Sequence, residues 1–244
     1  MTTGTTVLLT AAEEDSEEIN RLLEDKEIEV LHFSLEKYIP AEDKKDIKET
    51  FSRLSEFENI IHGSLRNARF FIREVESFGR KEEVRKILNL TLDEDTATYL
   101  EESGIPAVCT YAGGKSINLV EFMLRLRRMG ATLYPCGSHR KEEIPGFLEE
   151  LDIPVKELEL FHLEGPDDKE LDDYRKRLSE KQPDVILFHS RRSVTRTLAA
   201  FPDLDYESIR TVSADKGITK KLKEKGIPVS DEADGSWESM AEVL

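Results

Sequence analysis

The sequence predicts an α/β protein of two parallel-sheet domains, one inserted into the other through two extended linkers. Three observations predict it. Short apolar runs alternate with helical patterns along the whole chain, the signature of parallel sheets covered by helices. A strand–serine–helix unit occurs twice, as FENIIHGSLRNARFF followed by DTATYLEESGIP, and as PDVILFHSRRSVTRTL followed by KGITKKLKEKGIP. Such a repeat implies two similar halves, which commonly bind a ligand in the cleft between them. Finally, strands are shared unevenly: residues 1–33 hold two, the middle section five and the last section two or three. Two strands make no stable sheet, so the first section must join the last.

Taken in order, TTVLLTA (5–11) reads as a strand and DSEEINRLLEDKE as a helix capped by Asp15 or Ser16, with acids in its first turn. IEVLHF (28–33) is the second strand. Residues near 34–40 are an extended linker, and the charged AEDKKDIKETFSRL after Pro40 opens a helix. NIIHG (59–63) is a strand, LRNARFFIREVES a helix, RKILNLT (85–91) a strand and DEDTATYLEES (93–103) a helix stopped by Gly104. PAVCTY (106–111), a helix running to Gly130, ATLYPC (131–136), the helix KEEIPGFLEEL and VKELELFHL (155–163) complete the middle section. The last section gives the helix DDKELDDYRKRLSEK, the strand DVILFHS (184–190) and the helix RSVTRTLAAF. SIRTVSA is then a strand, KGITKKLKEK a helix stopped by Gly226, IPVSD an extended piece and GSWESMAEVL a final helix. Glycine just past a helix relieves left-handed strain at its end. The expected division is residues 1–35 plus 165–244 as a discontinuous domain and 40–160 as the inserted one, both flavodoxin-like. Pro40 and Gly165–Pro166 punctuate the linkers.

Composition narrows the function. The 244 residues carry a net charge of −16, from 51 acids against 35 bases. Nucleic acid needs a basic surface, so it is excluded as the main partner. No apolar run approaches the roughly 20 residues of a spanning helix, and the N-terminus has no basic signal region. A cytoplasmic, monomeric protein with no membrane partner is expected. Cys109 and Cys136 are too far apart for a C-x-x-C site, and the five histidines show no ligand spacing, so no metal and no cofactor is expected. Gly113-Gly114-Lys115-Ser116 is no P-loop, because the required first glycine is Cys109. Neither repeated serine sits in a G-x-S-x-G elbow.

The candidate binding residues lie where strands hand over to helices. In parallel sheets, ligands sit beyond the carboxyl ends of the strands. Ser64-Leu65-Arg66-Asn67 and Ser190-Arg191-Arg192-Ser193 both occupy such points. Helix-start N–H groups bind carboxylates and phosphates, and arginines add charge-assisted donors. Each serine is equally readable as a simple N-cap; the duplicated placement is what favours binding. Thr96 opens another helix, and Gly137-Ser138 followed by His139-Arg140-Lys141 forms a third anion-friendly strand end.

In this order the motifs resemble the uroporphyrinogen-III synthase family across essentially the whole chain. Ser64-Leu65-Arg66-Asn67-Ala68 with Thr96-Ala97…Leu100…Gly104 fits the family's first half, Ser190-Arg191-Arg192-Ser193-Val194 its second, and LYPCGSHRKEEIPGFLEELDIPVKELELF its middle. The chain departs from the family at Ala11 (often arginine), at Asp93 and Asp215 (commonly glycine), at Ile218-Thr219 (Thr-Ala) and at Phe161, where the family places a cleft tyrosine. The resemblance implies a lyase that closes hydroxymethylbilane, a linear tetrapyrrole with eight carboxylates, to uroporphyrinogen III with loss of water and inversion of ring D. It further implies that Ser64–Asn67, Gly137, Ser138, Arg140 and Ser190–Ser193 hold the substrate, with Thr96 the remaining hydroxyl for steering the leaving group and Phe161 at the tyrosine's position. The alternative is a non-catalytic, two-lobed protein that binds a tetrapyrrole or a small anion.

Overall fold

The computed structural model describes residues 4–42, 44–110, 115–138 and 143–244. β1 (Thr6–Leu9) leads through a 3₁₀ turn (Glu13–Asp15) into α1 (Glu17–Glu24) and β2 (Glu29–His32). β3 (Lys37–Pro40), α2 (Lys45–Ser52), β4 (Asn59–His62), α3 (Leu65–Ser77) and the single turn α4 (Lys81–Val84) follow. Then come β5 (Leu88–Thr91), α5 (Glu94–Glu102), β6 (Ala107–Cys109), α6 (Ser116–Leu126), β7 (Thr132–Gly137), α7 (Glu143–Glu150) and β8 (Val155–Glu164). The chain closes with α8 (Asp168–Glu180), β9 (Val185–Phe188), α9 (Arg191–Ala200), β10 (Arg210–Ser213), α10 (Lys216–Glu224), β11 (Asp231–Glu232) and α11 (Trp237–Glu242).

Two compact units result, Met1–Lys37 with Glu164–Leu244, and Tyr38–Leu163. The discontinuous unit holds a parallel sheet in the order β11-β10-β9-β1-β2. Numbered along the chain, its strands lie 2-1-3-4-5, the flavodoxin order. The continuous unit's order is β3-β8-β7-β4-β5-β6. With β3 set aside as an extra edge strand, and β7 taken as the first position and β8 as the second, its order is again 2-1-3-4-5. The chain therefore runs through the five positions twice. Strands 1 and 2 of each pass share a sheet with strands 3 to 5 of the other. The two repeat copies, β4-α3-β5-α5 and β9-α9-β10-α10, fall on the same strand positions, 3 and 4.

Helices cover both faces of each sheet, so the central strands are apolar throughout rather than alternating. Val7, Leu8, Leu9, Ile186, Leu187 and Phe188 are all fully buried. In β4, Ile60 joins the layer with Phe71 of α3, while Ile61 joins the layer with Leu119 and Met123 of α6. Successive strand residues face opposite sides, so one short strand anchors two layers.

The structure departs from the sequence reading at two places that matter. Residues 37–40, expected as linker, form edge strand β3 beside β8, and Ala41 N–H donates to Leu160 O at 2.8 Å. Pro40 is tolerated because it ends an edge strand. The helix expected to run to Gly130 stops at Leu126, where Arg127 takes a left-handed φ of 54°. Gly130 serves closeness instead: its N–H donates to Glu58 Oε2 at 3.0 Å, and a Cβ there would overlap the Glu58 carboxylate. By contrast Gly104 and Gly226 close α5 and α10 with φ of 74° and 76°, as expected. Among the described residues no helix is long and apolar enough to cross a membrane.

Candidate functional site

A parallel sheet opens a crevice where its strand order reverses direction, beyond the carboxyl ends. In the continuous unit that point lies between β4 and β7, which pair through Asn59–Thr132 and Ile60–Leu133. Ser64 follows β4, and Gly137 and Ser138 finish β7. In the discontinuous unit it lies between β1 and β9, and Ser190 follows β9. Each serine cluster thus stands at the switch point of its own sheet.

In the continuous unit, Ser64 is extended (φ −169°, ψ 161°) and caps α3, its Oγ accepting from Asn67 N–H at 3.3 Å. The residue before it must be glycine. A Cβ on Gly63 would stand 2.6 Å from the Tyr134 hydroxyl and 3.5 Å from the Asn67 amide nitrogen. Gly137 has the same need, because a Cβ there would overlap the Phe161 ring. Ser138 N–H donates to Phe161 O at 2.9 Å. Phe161 stacks on Phe70 (centroids 4.4 Å apart) and takes the edge of Tyr38 at 5.8 Å. The Arg66 guanidinium lies 3.8 Å over the Tyr38 ring. Arg66, Phe161, Gly137 and Ser138 are thereby linked through Tyr38. Phe161 itself is 7% exposed and has no hydroxyl to offer.

Thr96 sits in the first turn of α5, its N–H donating to Asp93 Oδ1 at 2.7 Å. Its side chain is fully buried, and its Oγ1 has no hydrogen-bond partner among the described residues. Such an orphan costs roughly 1–3 kcal/mol. At the end of β4, His62 is also fully buried; its Nε2 meets Asn89 Oδ1 at 3.2 Å, and its Nδ1 has no partner among the described residues. Burial pushes the imidazole pKa down to about 4, against a smaller upward pull from Asn89. His62 is thus neutral at physiological pH.

In the discontinuous unit, Ser190 and Ser193 form a reciprocal capping box. Ser193 N–H donates to Ser190 Oγ at 2.9 Å, and Ser190 N–H to Ser193 Oγ at 3.2 Å. The Ser193 hydroxyl also donates to Ser190 O at 2.7 Å. Arg191 is exposed and reaches the first turn of α10, where a Cβ on Gly217 would meet its Nη2 at 2.7 Å. Arg192 Nε stands 3.8 Å from Glu36 Oε1, a carboxylate only 5% exposed. Arg196, one turn further along, approaches the same oxygen at 3.5 Å and donates to Leu35 O at 2.6 Å and Glu164 O at 3.2 Å. α9 is thus fastened to both segments that cross between the units.

Sequence reasoning missed Tyr38, Tyr134, Glu36 and Arg196. Only the glycine at 63 hinted at a close neighbour. Arg140, with His139 and Lys141, lies outside the described residues, as do Gly113 and Gly114. Among the described residues no group of three or more His, Cys, Asp or Glu could hold a metal ion. Helix-start N–H groups with arginines beside them can grip carboxylates.

Fold and rims together define the class: a flavodoxin-like α/β protein of two units, each presenting a serine-capped helix start at its switch point. The family model described as uroporphyrinogen-III synthase HemD matches residues 17–236. The chain belongs to the uroporphyrinogen-III synthase family, whose members are enzymes of tetrapyrrole synthesis. The uroporphyrinogen-III synthetase of Helicobacter pylori is similar in fold at 16% identity, with a TM-score of 0.67 over 99% of this chain and 98% of that one. A mutant uroporphyrinogen III synthase of the extreme thermophile Thermus thermophilus is similar at 15% identity, with a TM-score of 0.62 over 98% and 97%. Among curated proteins no sequence match is found.

Proposed function

We propose that the chain cyclises hydroxymethylbilane to uroporphyrinogen III, with loss of water and inversion of ring D. The observation that carries this reading is the duplicated rim. Two helix starts at equivalent switch points, within a chain of this family, offer N–H groups to a substrate with eight carboxylates. In this reading each rim holds carboxylates of the bilane. Local N–H dipoles with Arg66, Arg191 and Arg192 outweigh more distant acids, which salt screens over about 10 Å. Such gripping explains how a chain of net charge −16 holds a polyanion.

The chemistry needs conformational control. Loss of the terminal hydroxyl leaves an azafulvenium, which attacks the substituted carbon of ring D. The spiro intermediate fragments and recloses with that ring inverted. Uncatalysed closure gives the uninverted type I isomer. Holding the chain ends in the productive arrangement and excluding water are therefore the enzyme's main tasks. A cytoplasmic monomer needing no metal or cofactor belongs to the same proposal.

Product analysis tests it. Purified protein given hydroxymethylbilane should yield mainly the type III isomer after oxidation and chromatographic separation. Accumulation of type I alone would sink the enzyme reading. A second reading is favoured by two observations: Thr96 is fully buried, and Phe161 lacks the tyrosine's hydroxyl. That reading is a tetrapyrrole-binding protein without turnover, and saturable binding with only type I product would select it.

A further inference from the structure

The discontinuous unit carries a pocket of about 290 Å³ lined by Asp15, His189, Ala214, Gly235, Trp237 and Met240. These residues come from the segments after β1, β9, β10 and β11, so the pocket opens at the carboxyl edge of the sheet. It adjoins the serine rim without being part of it. His189 immediately precedes Ser190, and successive side chains along an extended strand point to opposite faces. Ser190 caps α9, whereas the His189 ring lies 5.6 Å from that of Trp237, on α11. Rim and pocket thus stand one residue apart, about 4 Å along the backbone.

Their chemistry is opposed. The rim presents N–H groups and arginines to anions. The pocket presents a carboxylate, an indole face and an imidazole, and exposed acids Asp234 and Glu238 flank Gly235 and Trp237. Both flanking carboxyls are held below the usual carboxylate range, Asp234 chiefly by hydrogen bonds from Ser236 and Glu238 chiefly by backbone hydrogen bonding. A carboxylate placed inside the pocket itself, rather than at the adjoining rim, would be repelled. A cation delocalised over a flat ring is favoured twice, by Asp15 through charge and by Trp237 through its π face. The volume admits one five-membered ring with its nearest substituents, far less than a tetrapyrrole.

We infer that this pocket receives the hydroxymethyl-bearing terminal pyrrole of the bilane and stabilises the cation formed on it. The inference rests on the proposed function. In the step concerned, the methylene C–O bond breaks with both electrons going to oxygen, which takes a proton from solvent and leaves as water. The positive charge stays shared between the methylene carbon and the pyrrole nitrogen. Asp15 and Trp237 lower the energy of that charge, while the ring's own carboxylates reach the adjacent Ser190 rim.

Trp237 is the only tryptophan in the chain, so its emission reports the pocket directly. The probe is a monopyrrole bearing an acetate, a propionate and an aminomethyl group, whose ammonium stands in for the cation. Its addition should change Trp237 emission saturably, and Asp15→Asn should weaken that binding about 10-fold, about 1.4 kcal/mol. No change in emission, or equal affinity in Asp15→Asn, overturns the inference. In the bilane assay Asp15→Asn should lower kcat about 10- to 100-fold with KM within about two-fold. Trp237→Leu should lose about 10-fold, and Trp237→Phe, which keeps an aromatic face, should restore most of it. Unchanged kcat, or a loss confined to KM, overturns the catalytic part while type III product still upholds the proposed function. If wild type gives only type I, the proposed function falls and the emission titration alone decides whether the pocket binds a cationic pyrrole. Variants are compared only where their thermal midpoints match wild type.

Discussion

The rim at Ser64 and the rim at Ser190 occupy the same strand position in two like sheets, yet they use their polar groups differently. Ser190 and Ser193 satisfy each other three ways, and on the neighbouring helix Thr219 Oγ1 shares a hydrogen bond with Ser213 Oγ at 2.5 Å. At the other rim Ser64 accepts one long bond from Asn67 N–H, and Thr96 has a hydroxyl with no partner among the described residues. Two residues before each serine stand a buried histidine, His62, and a buried phenylalanine, Phe188. A duplicated frame has been closed off in one copy and left polar and unsatisfied in the other. The lesson is physical: equivalent backbone does not impose equivalent side-chain bonding.

The largest effect that would sharpen this comparison is on pH. His62 binds its proton at about 4 when folded and near 6.5 when unfolded. The unfolded chain binds more protons between those values, so stability rises with pH there. The contribution is complete above pH 6.5 and is lost as pH falls toward 4, about 3 kcal/mol in all. Urea unfolding at about pH 7 and about pH 4.5 should show this loss, and His62→Gln should flatten it. Parallel slopes in wild type and variant would break the contrast with Phe188.

Next come the two threonines. Thr219→Val removes the 2.5 Å bond and leaves the fully buried Ser213 hydroxyl only a long one to Asp231 O at 3.5 Å, and should cost about 1–2 kcal/mol. Thr96→Val removes an orphan and should be neutral or stabilising by about 1 kcal/mol. Equal signs in chemical denaturation would refute the difference between the copies. If Thr96→Val also lowers kcat at constant stability, the hydroxyl has a part in turnover.

The smallest effects are at the caps. Ser190→Ala should cost about 1–2 kcal/mol and Ser64→Ala about 0.5–1, from thermal midpoints with measured unfolding enthalpies. The reverse order would mean that the Ser64 cap is stronger than its single 3.3 Å bond implies.

How much of this was legible in the sequence varied with the kind of information. Alternation of strands and helices, the duplicated unit and the helix stops at Gly104 and Gly226 could be read, because each is a local pattern. β3 could not, because Lys37–Pro40 has neither length nor apolar alternation and is a strand only beside β8. The shared strand order could not either, since a repeat fixes similarity but not which strands pair. Tyr134 lies mid-strand in an ordinary apolar run, and only its approach to Gly63 marks it. Glu36 and Arg196 look like solvated charges until Leu35 and Glu164 are brought to one helix. The burial of Thr96 was hidden because first-turn threonines so often face water as caps.

The pairing of β3 with β8 has a consequence for how the chain comes off the ribosome. β1 and β2 are made first, but their sheet is completed only by β9 to β11, after the whole continuous unit has been synthesised. Closing a loop of that length from a disordered chain costs about 4 kcal/mol in entropy. The intervening unit is continuous and can form as soon as β8 is made. Once it has, its two ends leave side by side from adjacent strands, and the long closure becomes a short one. An aggregation-prone pair of apolar strands thus waits on its neighbour's folding, and a lesion that slows the continuous unit should appear first as exposure of β1.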